Sequence, residues 1–192
     1  MTEMWEELLH IDKNVFLYLN NLGTPTWDGF WMLMTNKFTS VPLYLILLFL
    51  AGRSLGWKKT LLLLVFVALL ITVCDQLANF FKIGVGRLRP CYDPELDGLF
   101  RLVKSSCGGK FGYFSAHAAN SFAVAVFFTH FFQSSNRILP WLLITWALVV
   151  SYSRIYIGVH FPFDVLSGAL VGLLMGWLFF RLYIFAIDRT RL

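Results

Sequence analysis

Residues 138–180 read ILPWLLITWALVVSYSRIYIGVHFPFDVLSGALVGLLMGWLFF, and their pattern is the strongest indication of the fold. It holds two runs without Asp, Glu, Lys or Arg, residues 138–153 and 165–180. A helix that crosses a bilayer needs roughly 20 apolar residues, which each run nearly supplies. The segment between the runs carries three ionisable side chains: Arg154, His160 and Asp164. Because such groups are costly at membrane depth and are usually kept where they bind or react, the stretch predicts two membrane helices that meet at a functional site.

The composition of the whole chain extends this interpretation. Of its 192 residues, 58% are hydrophobic and 18% are aromatic, and the mean hydropathy is +0.67. A soluble core of this size could not bury so much apolar surface, so lipid must cover most of it. The apolar runs predict five membrane spans, at about residues 28–51, 58–81, 115–133, 138–157 and 163–187. Polar residues interrupt the first of these and allow its start to be interfacial: Asn36, Lys37, Thr39 and Ser40.

The residues ahead of the first span form a further element. Met4 to Leu19 mix apolar positions with acidic and basic ones. The pattern suits a helix lying on the membrane surface, and equally a solvated amphipathic helix packed on the bundle. It is too polar for the apolar region of a secretory signal, so we expect no cleaved leader. We therefore predict an all-α integral membrane helical bundle, with an N-terminal amphipathic interfacial helix and a single domain over residues 1–192.

Two further polar clusters flank a long irregular segment, residues 83–114. Lys82, Arg89 and Pro90 follow the pattern K-x6-R-P, and the run Phe114-Ser115-Ala116-His117 opens the next span. Long structureless loops in compact domains are usually functional or disordered. In antiparallel spans, the end of the second, the start of the third, the end of the fourth and the start of the fifth lie on one membrane face. All three clusters are therefore expected to meet there.

The residue types at this face suit the binding of a phosphoryl group. Lys82, Arg89 and Arg154 would form a cationic nest, in which an arginine can hold two phosphate oxygens. Ser115 could cap the third span, whose first amides, starting with that of Ala116, would point outward as anion donors. Together these residues describe a phosphate site at a helix start.

Two histidines supply the candidate reacting groups. His160 and Asp164 are four residues apart, so on a helix they share a face and the carboxylate would fix the imidazole tautomer. The free ring nitrogen of His160 could then attack phosphorus and form a phosphohistidine. His117, on the neighbouring helix, could protonate the leaving oxygen and then activate water.

The three clusters together resemble the signature motifs of the type 2 phosphatidic acid phosphatases. K-x6-R-P at residues 82–90, S-x-H at 115–117 and S-R-x5-H-x3-D at 153–164 occur in the order of that family. Vanadium haloperoxidases are similar in these motifs but are soluble, which this apolar chain is not. The resemblance implies metal-independent hydrolysis of a lipid phosphate or diphosphate, without a cofactor.

The same resemblance implies a role for each residue of the clusters. It makes His160 the nucleophile, Asp164 its partner, and His117 the general acid and base. The residues that it places on the phosphate are Lys82, Arg89, Ser115 and Arg154.

One motif departs from the family pattern. The family usually has P-S-G-H, whereas this chain has Phe114-Ser115-Ala116-His117. Ala116 keeps the backbone N–H that a phosphate needs, provided that the local dihedrals do not require glycine. The loss of proline removes a fixed φ before the helix start. We expect both changes to affect the rate or the pocket shape without abolishing activity.

Two other classes of protein compete with a phosphatase. A transporter or channel would also bury Lys, Arg, His and Asp within the membrane, and a non-catalytic scaffold would only hold a lipid head. A transport path should continue through the bilayer, whereas the clusters lie at helix ends on one face. Neither inverted repeats nor paired broken helices are apparent in the sequence. Release of phosphate from a lipid would separate the three classes.

Several remaining side chains have two interpretations each. Asp75 either steadies Asn79 or Lys82 on its own helix or bonds a neighbouring helix. Cys91 and Cys107 either form a disulfide, if the loop faces an oxidising compartment, or remain free thiols. No Cys/His spacing indicates a zinc site, and the sequence has no nucleic-acid signature.

Basic residues predict the orientation of the bundle. Charges stand at the span ends on the face opposite the motifs, where the positive-inside rule counts most; they include Arg53, Lys58, Lys59 and Arg137. The motif face is therefore expected outside the inner (plasma) membrane, in the periplasm or its equivalent. A net charge of +5 fits attraction to anionic lipids and phosphate headgroups.

Four lipids would offer a phosphate at this face: undecaprenyl diphosphate, lipid A, phosphatidylglycerophosphate and phosphatidic acid. The outward orientation and the small size of the chain favour an envelope lipid of bacteria, either undecaprenyl diphosphate or lipid A.

Overall fold

The apolar runs of the sequence become helices close to where their patterns predict. The computed structural model describes residues 2–132 and 137–190. Its α-helices in that part of the chain are α1 (Thr2–Asn21), α2 (Pro25–Thr35), α3 (Val41–Leu55), α4 (Trp57–Val85), α5 (Ala116–Phe132), α6 (Leu139–Tyr156) and α7 (Pro162–Thr190). Short 3-10 turns lie at Lys37–Ser40, Pro90–Tyr92 and Pro94–Leu96.

Four stretches of the described residues are long and apolar enough to cross a membrane: Lys37–Leu55, Trp57–Val85, Leu139–Tyr156 and Pro162–Arg189. The third predicted span corresponds to α5, which has 17 residues. Most side chains of α5 are buried, because α4, α6 and α7 all pack against it. The predicted bundle is therefore built around α5 as its central helix.

The first span begins later than predicted. Instead of one helix over residues 28–51, the chain forms α2, breaks at Asn36 and resumes as the Lys37–Ser40 turn and α3. Asn36 has an extended backbone, and its side chain accepts a hydrogen bond of 3.0 Å from the N–H of Phe38. The short polar side chain thus bonds the local backbone in place of a continuing helix. The break separates α2 from the span.

A stripe of glycines sets the distance between α5 and α7. Gly168, Gly172 and Gly176 follow one another at four-residue spacing on α7. A β-carbon at these positions would overlap backbone carbonyl groups of α5, namely those of Ser115, Ala119 and Ala123 in turn. Small residues allow membrane helices to approach this closely. The contact also places Ser115, at the start of α5, against the first turn of α7.

Helix α1 is amphipathic and packs on the bundle by one face. Phe16 is fully buried in a cluster with Leu96, Ile155 and Phe161. Several large apolar side chains of α1 remain exposed: Met4, Trp5, Leu8, Ile11 and Val15. One face of α1 therefore packs on the bundle, and its placement on the membrane surface stays a prediction to which the exposed apolar side chains are suited.

The segment between α4 and α5, residues 86–114, is called here the active-face loop. It folds back on itself at Leu88 and Phe111, which form an antiparallel bridge. Cys91 and Cys107 are joined in a disulfide, with their Cα atoms 6.3 Å apart, within the usual range. The loop is thus long but has extensive internal contacts.

Candidate active site

His160 and Asp164 lie at the junction of α6 and α7. The helix α7 begins at Pro162, so His160 stands in the turn before it and Asp164 in its first turn. On a helix that ran through both residues the two side chains would share a face; in the structure Pro162 opens the helix, so His160 lies just before it. The two side chains are still adjacent, with 3.4 Å between His160 Nδ1 and Asp164 Oδ2, and within the described residues Nδ1 makes no hydrogen bond. Asp164 Oδ2 also accepts the N–H of Phe161 at 3.0 Å, which caps the new helix.

Both members of this pair are almost completely buried, at 2% and 0% exposure of their side chains. Burial holds the pKa of the His160 imidazole well below its usual range, and the positive charges of the neighbouring cations lower it further. The imidazole is therefore neutral at pH 7, with a lone pair available on one ring nitrogen. Since Nδ1 faces the carboxylate, Nε2 is the nitrogen that remains to react.

The three predicted cations come together around His160. Their charges act on its imidazole, and those of Arg89 and Arg154 also act on Lys82. The active-face loop holds the Arg89 side chain in place, because Nε donates to the carbonyl of Phe111 at 3.1 Å and Nη1 to that of Cys107 at 2.5 Å. Arg154 donates to the hydroxyl of Thr35 on α2. Within the described residues, the buried Nε of Arg154 has no hydrogen-bond partner and remains able to bind an anion.

The start of α5 contributes Ser115, Ala116 and His117. The Ser115 hydroxyl caps the helix through a long contact of 3.5 Å with the N–H of Ala118. The Ser115 N–H donates to the backbone carbonyl of Asp164 at 2.9 Å, so this amide is already engaged. His117 lies within electrostatic range of Lys82, Arg154 and His160. The second motif thus faces the other two.

Sequence reasoning did not identify Arg87 and Asp12 as part of this site. Arg87 donates to Asp164 Oδ1 at 3.0 Å and to Asp12 Oδ2 at 2.5 Å, and its guanidinium lies 4.3 Å from the ring centre of Phe161. Asp12 in α1 also accepts the N–H of Phe163 at 2.9 Å. Arg87 stands two residues before Arg89 within the first motif, but nothing in the sequence indicated its partners.

Gly112 was also missed. A β-carbon at this position would lie 3.0 Å from Asp164 Oδ2, 3.1 Å from Arg89 Cγ and 3.6 Å from His160 Nδ1. The N–H of Gly112 donates to the carbonyl of Arg87 at 2.9 Å. The backbone of the active-face loop therefore lies directly against the His160–Asp164 pair, and a larger residue would press on it.

Comparison with known proteins places the chain in a family. Residues 59–188 match the PAP2 superfamily. The chain belongs to this family. It is 40% identical to the lipid A 4'-phosphatase of Bacteroides thetaiotaomicron over 180 residues, which are 92% of this chain and 79% of that protein. It is 35% identical to the lipid A 4'-phosphatase of Porphyromonas gingivalis, with 96% of this chain and 78% of that protein covered.

The fold is similar to that of a solved relative. The match is the transmembrane PAP2-type phosphatidylglycerolphosphate phosphatase from Bacillus subtilis, with a TM-score of 0.70 at 22% identity. It covers 90% of this chain and 84% of that chain. The predicted family, the all-α multi-pass membrane fold and the class of membrane lipid phosphatase are thus confirmed. Family membership favours this class over a transporter or a scaffold.

Proposed function

We propose that this PAP2 phosphatase removes a phosphate group from lipid A through a phosphohistidine intermediate, without a metal ion. The observation that carries the mechanism is the buried His160, whose Nδ1 faces Asp164 while the charges of three cations reach its ring. The identity to lipid A 4'-phosphatases over most of the chain supports the substrate.

In the first half-reaction, His160 Nε2 attacks the phosphorus of the phosphate ester. The new bond is N–P, and the bond that breaks joins phosphorus to the oxygen of the lipid alcohol. His117, in its protonated form, gives a proton to this oxygen. Asp164 stabilises the positive charge that develops on the His160 ring.

In the second half-reaction, water replaces the lipid alcohol. The neutral His117 takes a proton from water, whose oxygen attacks phosphorus, and the N–P bond breaks to release inorganic phosphate and free His160. Lys82, Arg89 and Arg154 neutralise the equatorial oxygens through both steps, assisted by the Ser115 hydroxyl and the Ala116 amide. These groups supply the charge stabilisation for which other phosphatases use a divalent cation.

The orientation that we propose places this site on the exterior face of the inner membrane. Arg53, Lys58 and Arg137 lie at the helix ends opposite the site, as the positive-inside rule requires of a cytoplasmic face. The Cys91–Cys107 disulfide in the active-face loop supports an oxidising compartment.

The test uses the purified full-length protein with lipid A, undecaprenyl diphosphate and phosphatidic acid, in excess chelator. We expect phosphate release from lipid A, inhibition by vanadate, and an acid-labile phosphoryl group on His160 after rapid quenching. His160→Ala should abolish turnover, whereas His130→Ala, which alters a histidine stacked on Phe180, should not. His117→Ala should be partly rescued by a substrate with an activated leaving group.

Three outcomes would contradict the proposal. Trapping of the phosphoryl group on another residue would refute the mechanism. A strict requirement for added magnesium would refute metal independence. A large preference for undecaprenyl diphosphate would leave the mechanism intact but replace the substrate.

A further inference from the structure

A cavity of about 250 Å³ lies beside His117, between α3, α4, α5 and α6. Besides His117 its wall includes Asp75, Asn120, Tyr44, Trp146 and Lys37. These five residues are not phosphate ligands or reacting groups in the mechanism above. The cavity adjoins the reaction centre, but the mechanism above does not use it.

The polar part of the wall presents hydrogen-bond acceptors. Asn120 Nδ2 donates to Asp75 Oδ1 at 2.8 Å, an interhelical bond between α5 and α4. Of the two interpretations of Asp75, the bond supports a contact with a neighbouring helix. It does not involve the other amide atom, Asn120 Oδ1. This oxygen is buried and has no hydrogen-bond partner among the described residues. Since a carboxylate accepts only, Asp75 and Asn120 Oδ1 together favour a ligand that brings donors such as hydroxyl or amide N–H groups to this part of the wall.

Two aromatic residues, Tyr44 and Trp146, form a further part of the wall. The rings of Tyr44 and Trp146 meet edge to face, with their centres 5.9 Å apart, and both side chains are partly buried. Aromatic walls with a few well-placed polar groups are typical of small-molecule sites. Lys37 is exposed, and it is the one Lys or Arg among the described residues that line the cavity.

The position of the cavity connects it to the leaving group. In phosphoryl transfer the attacking and leaving atoms lie roughly in line on opposite sides of phosphorus. If His160 attacks and His117 protonates the leaving oxygen, the lipid alcohol departs on the His117 side, where this cavity begins. This step rests on the mechanism proposed above.

We propose that the cavity is a leaving-group subsite for a neutral, hydroxyl-bearing group, namely the sugar of a glycolipid phosphate monoester. Hydroxyl or amide N–H groups of the sugar would donate to Asn120 Oδ1 and to Asp75, and its apolar face would pack on Trp146. A lipid diphosphate would instead place its second phosphate, an anion that only accepts, against the Asp75 carboxylate. Specificity would then arise from this repulsion as well as from the new bonds.

The test compares three substrates: a glycolipid monophosphate such as lipid A, undecaprenyl diphosphate, and p-nitrophenyl phosphate, which is too small to need the subsite. Asn120→Leu removes the acceptor at nearly constant volume and should lower kcat/KM for the glycolipid about 10- to 100-fold. It should change kcat/KM for p-nitrophenyl phosphate less than about twofold. Asp75→Asn should shift the substrate preference towards the diphosphate.

Controls separate the subsite from the fold and from the chemistry. Asn79→Leu alters an exposed amide on α4 outside the cavity and should leave all three substrates unchanged. A measurement that needs no variant is inhibition of p-nitrophenyl phosphate hydrolysis by a soluble amino-sugar disaccharide, which we expect to be competitive.

Each contrary outcome has a distinct meaning. Equal losses on all three substrates, or no inhibition by the disaccharide, would overturn the subsite and make Asp75 and Asn120 supports of the fold. Failure of the wild-type protein to hydrolyse lipid phosphates or p-nitrophenyl phosphate would overturn the phosphatase proposal, and the subsite with it.

Discussion

The α5–α7 contact and the active-face loop position the two sides of the site by different physical means. Between α5 and α7, three glycines let backbones touch, so Ser115 and Asp164 are fixed by helix packing. The active-face loop is instead fixed by polar contacts with α1, such as the ion pair of Lys13 Nζ with Asp93 Oδ2 at 2.8 Å. The His160–Asp164 pair therefore depends on a rigid helix contact, whereas Arg87 and Arg89 depend on bonds that can be removed one at a time.

The largest effect is expected where the helix contact is broken. Gly172→Leu would force a branched side chain into the backbone of α5 at Ala119. The helices would have to separate, which moves Ser115 and His117 away from His160. We expect no measurable phosphatase activity and a sharp fall in folded protein, measured by size-exclusion chromatography in detergent.

The matched control is Gly29→Leu. Gly29 lies in the middle of α2, and a β-carbon there meets no atom within 4 Å. Activity and yield should stay near those of the wild type. If Gly172→Leu behaves in the same way, the α5–α7 contact does not position the site.

The second effect tests the contacts of Arg87. Arg87→Ala leaves the buried carboxylates of Asp12 and Asp164 without their shared partner. Arg87 bonds the carboxylate beside His160 and not the substrate, so we expect kcat to fall about 10- to 100-fold, as for the outer partners of metal ligands, with a smaller change in KM. Arg87→Lys should restore part of kcat, because it restores the charge. Steady-state kinetics of both variants, with a thermal melt, measures the effect.

The control for this prediction is Arg53→Ala, which removes an exposed arginine from the opposite face. It should leave kcat unchanged. An equal fall in stability for Arg87→Ala with an unaltered kcat would show that Arg87 supports the fold alone.

The parts of the molecule that could be predicted are those set by local sequence patterns. The spans and the one-sided placement of the motifs follow from local patterns and from antiparallel order. The four-residue spacing of Gly168, Gly172 and Gly176 was also visible in the sequence, although its role was not recognised. By contrast, Arg87 meets partners 75 and 77 positions away, at Asp12 and Asp164. No local rule of spacing indicates such contacts, because they depend on how α1 packs across the loop.

The break at Asn36 shows a second limit. The polar residues around Asn36 predict an interfacial start to the first span, but they do not predict where the helix breaks. A continuous helix and a helix broken at Asn36 are close in energy, since a short polar side chain can either point away from the helix or bond the local backbone. In the structure, Asn36 bonds the local backbone, and α2 then supplies Thr35 to Arg154. The Thr35–Arg154 contact forms only because the helix breaks at Asn36, so it could not be predicted without predicting the break.

The smallest effect is expected from the disulfide, because the active-face loop has other attachments. Closing a loop of this length stabilises a fold by at most about 3 kcal/mol. Arg89 Nη1 donates to the carbonyl of Cys107, so loss of the bond should loosen one of the phosphate ligands. Asn20 still holds the loop, since its Oδ1 accepts the N–H of Arg101 at 2.7 Å. Cys91→Ser should therefore lower the melting temperature and raise KM by a few fold, with kcat nearly unchanged.

The disulfide requires that the active-face loop lies on the oxidising side of the membrane, and this orientation can be tested directly. In a Cys91→Ser/Cys107→Ser background, single cysteines at Lys104 and at Ser54 report opposite faces of the bundle, and Cys74 is buried. In intact cells a membrane-impermeant thiol reagent should label Lys104→Cys and leave Ser54→Cys unlabelled. The reverse pattern would place the active-face loop in the cytoplasm, where reducing conditions disfavour the disulfide. A lipid substrate presented on the outer face of the membrane would then be out of reach of His160, and the proposed lipid A activity would fail together with the predicted stabilisation by Cys91 and Cys107.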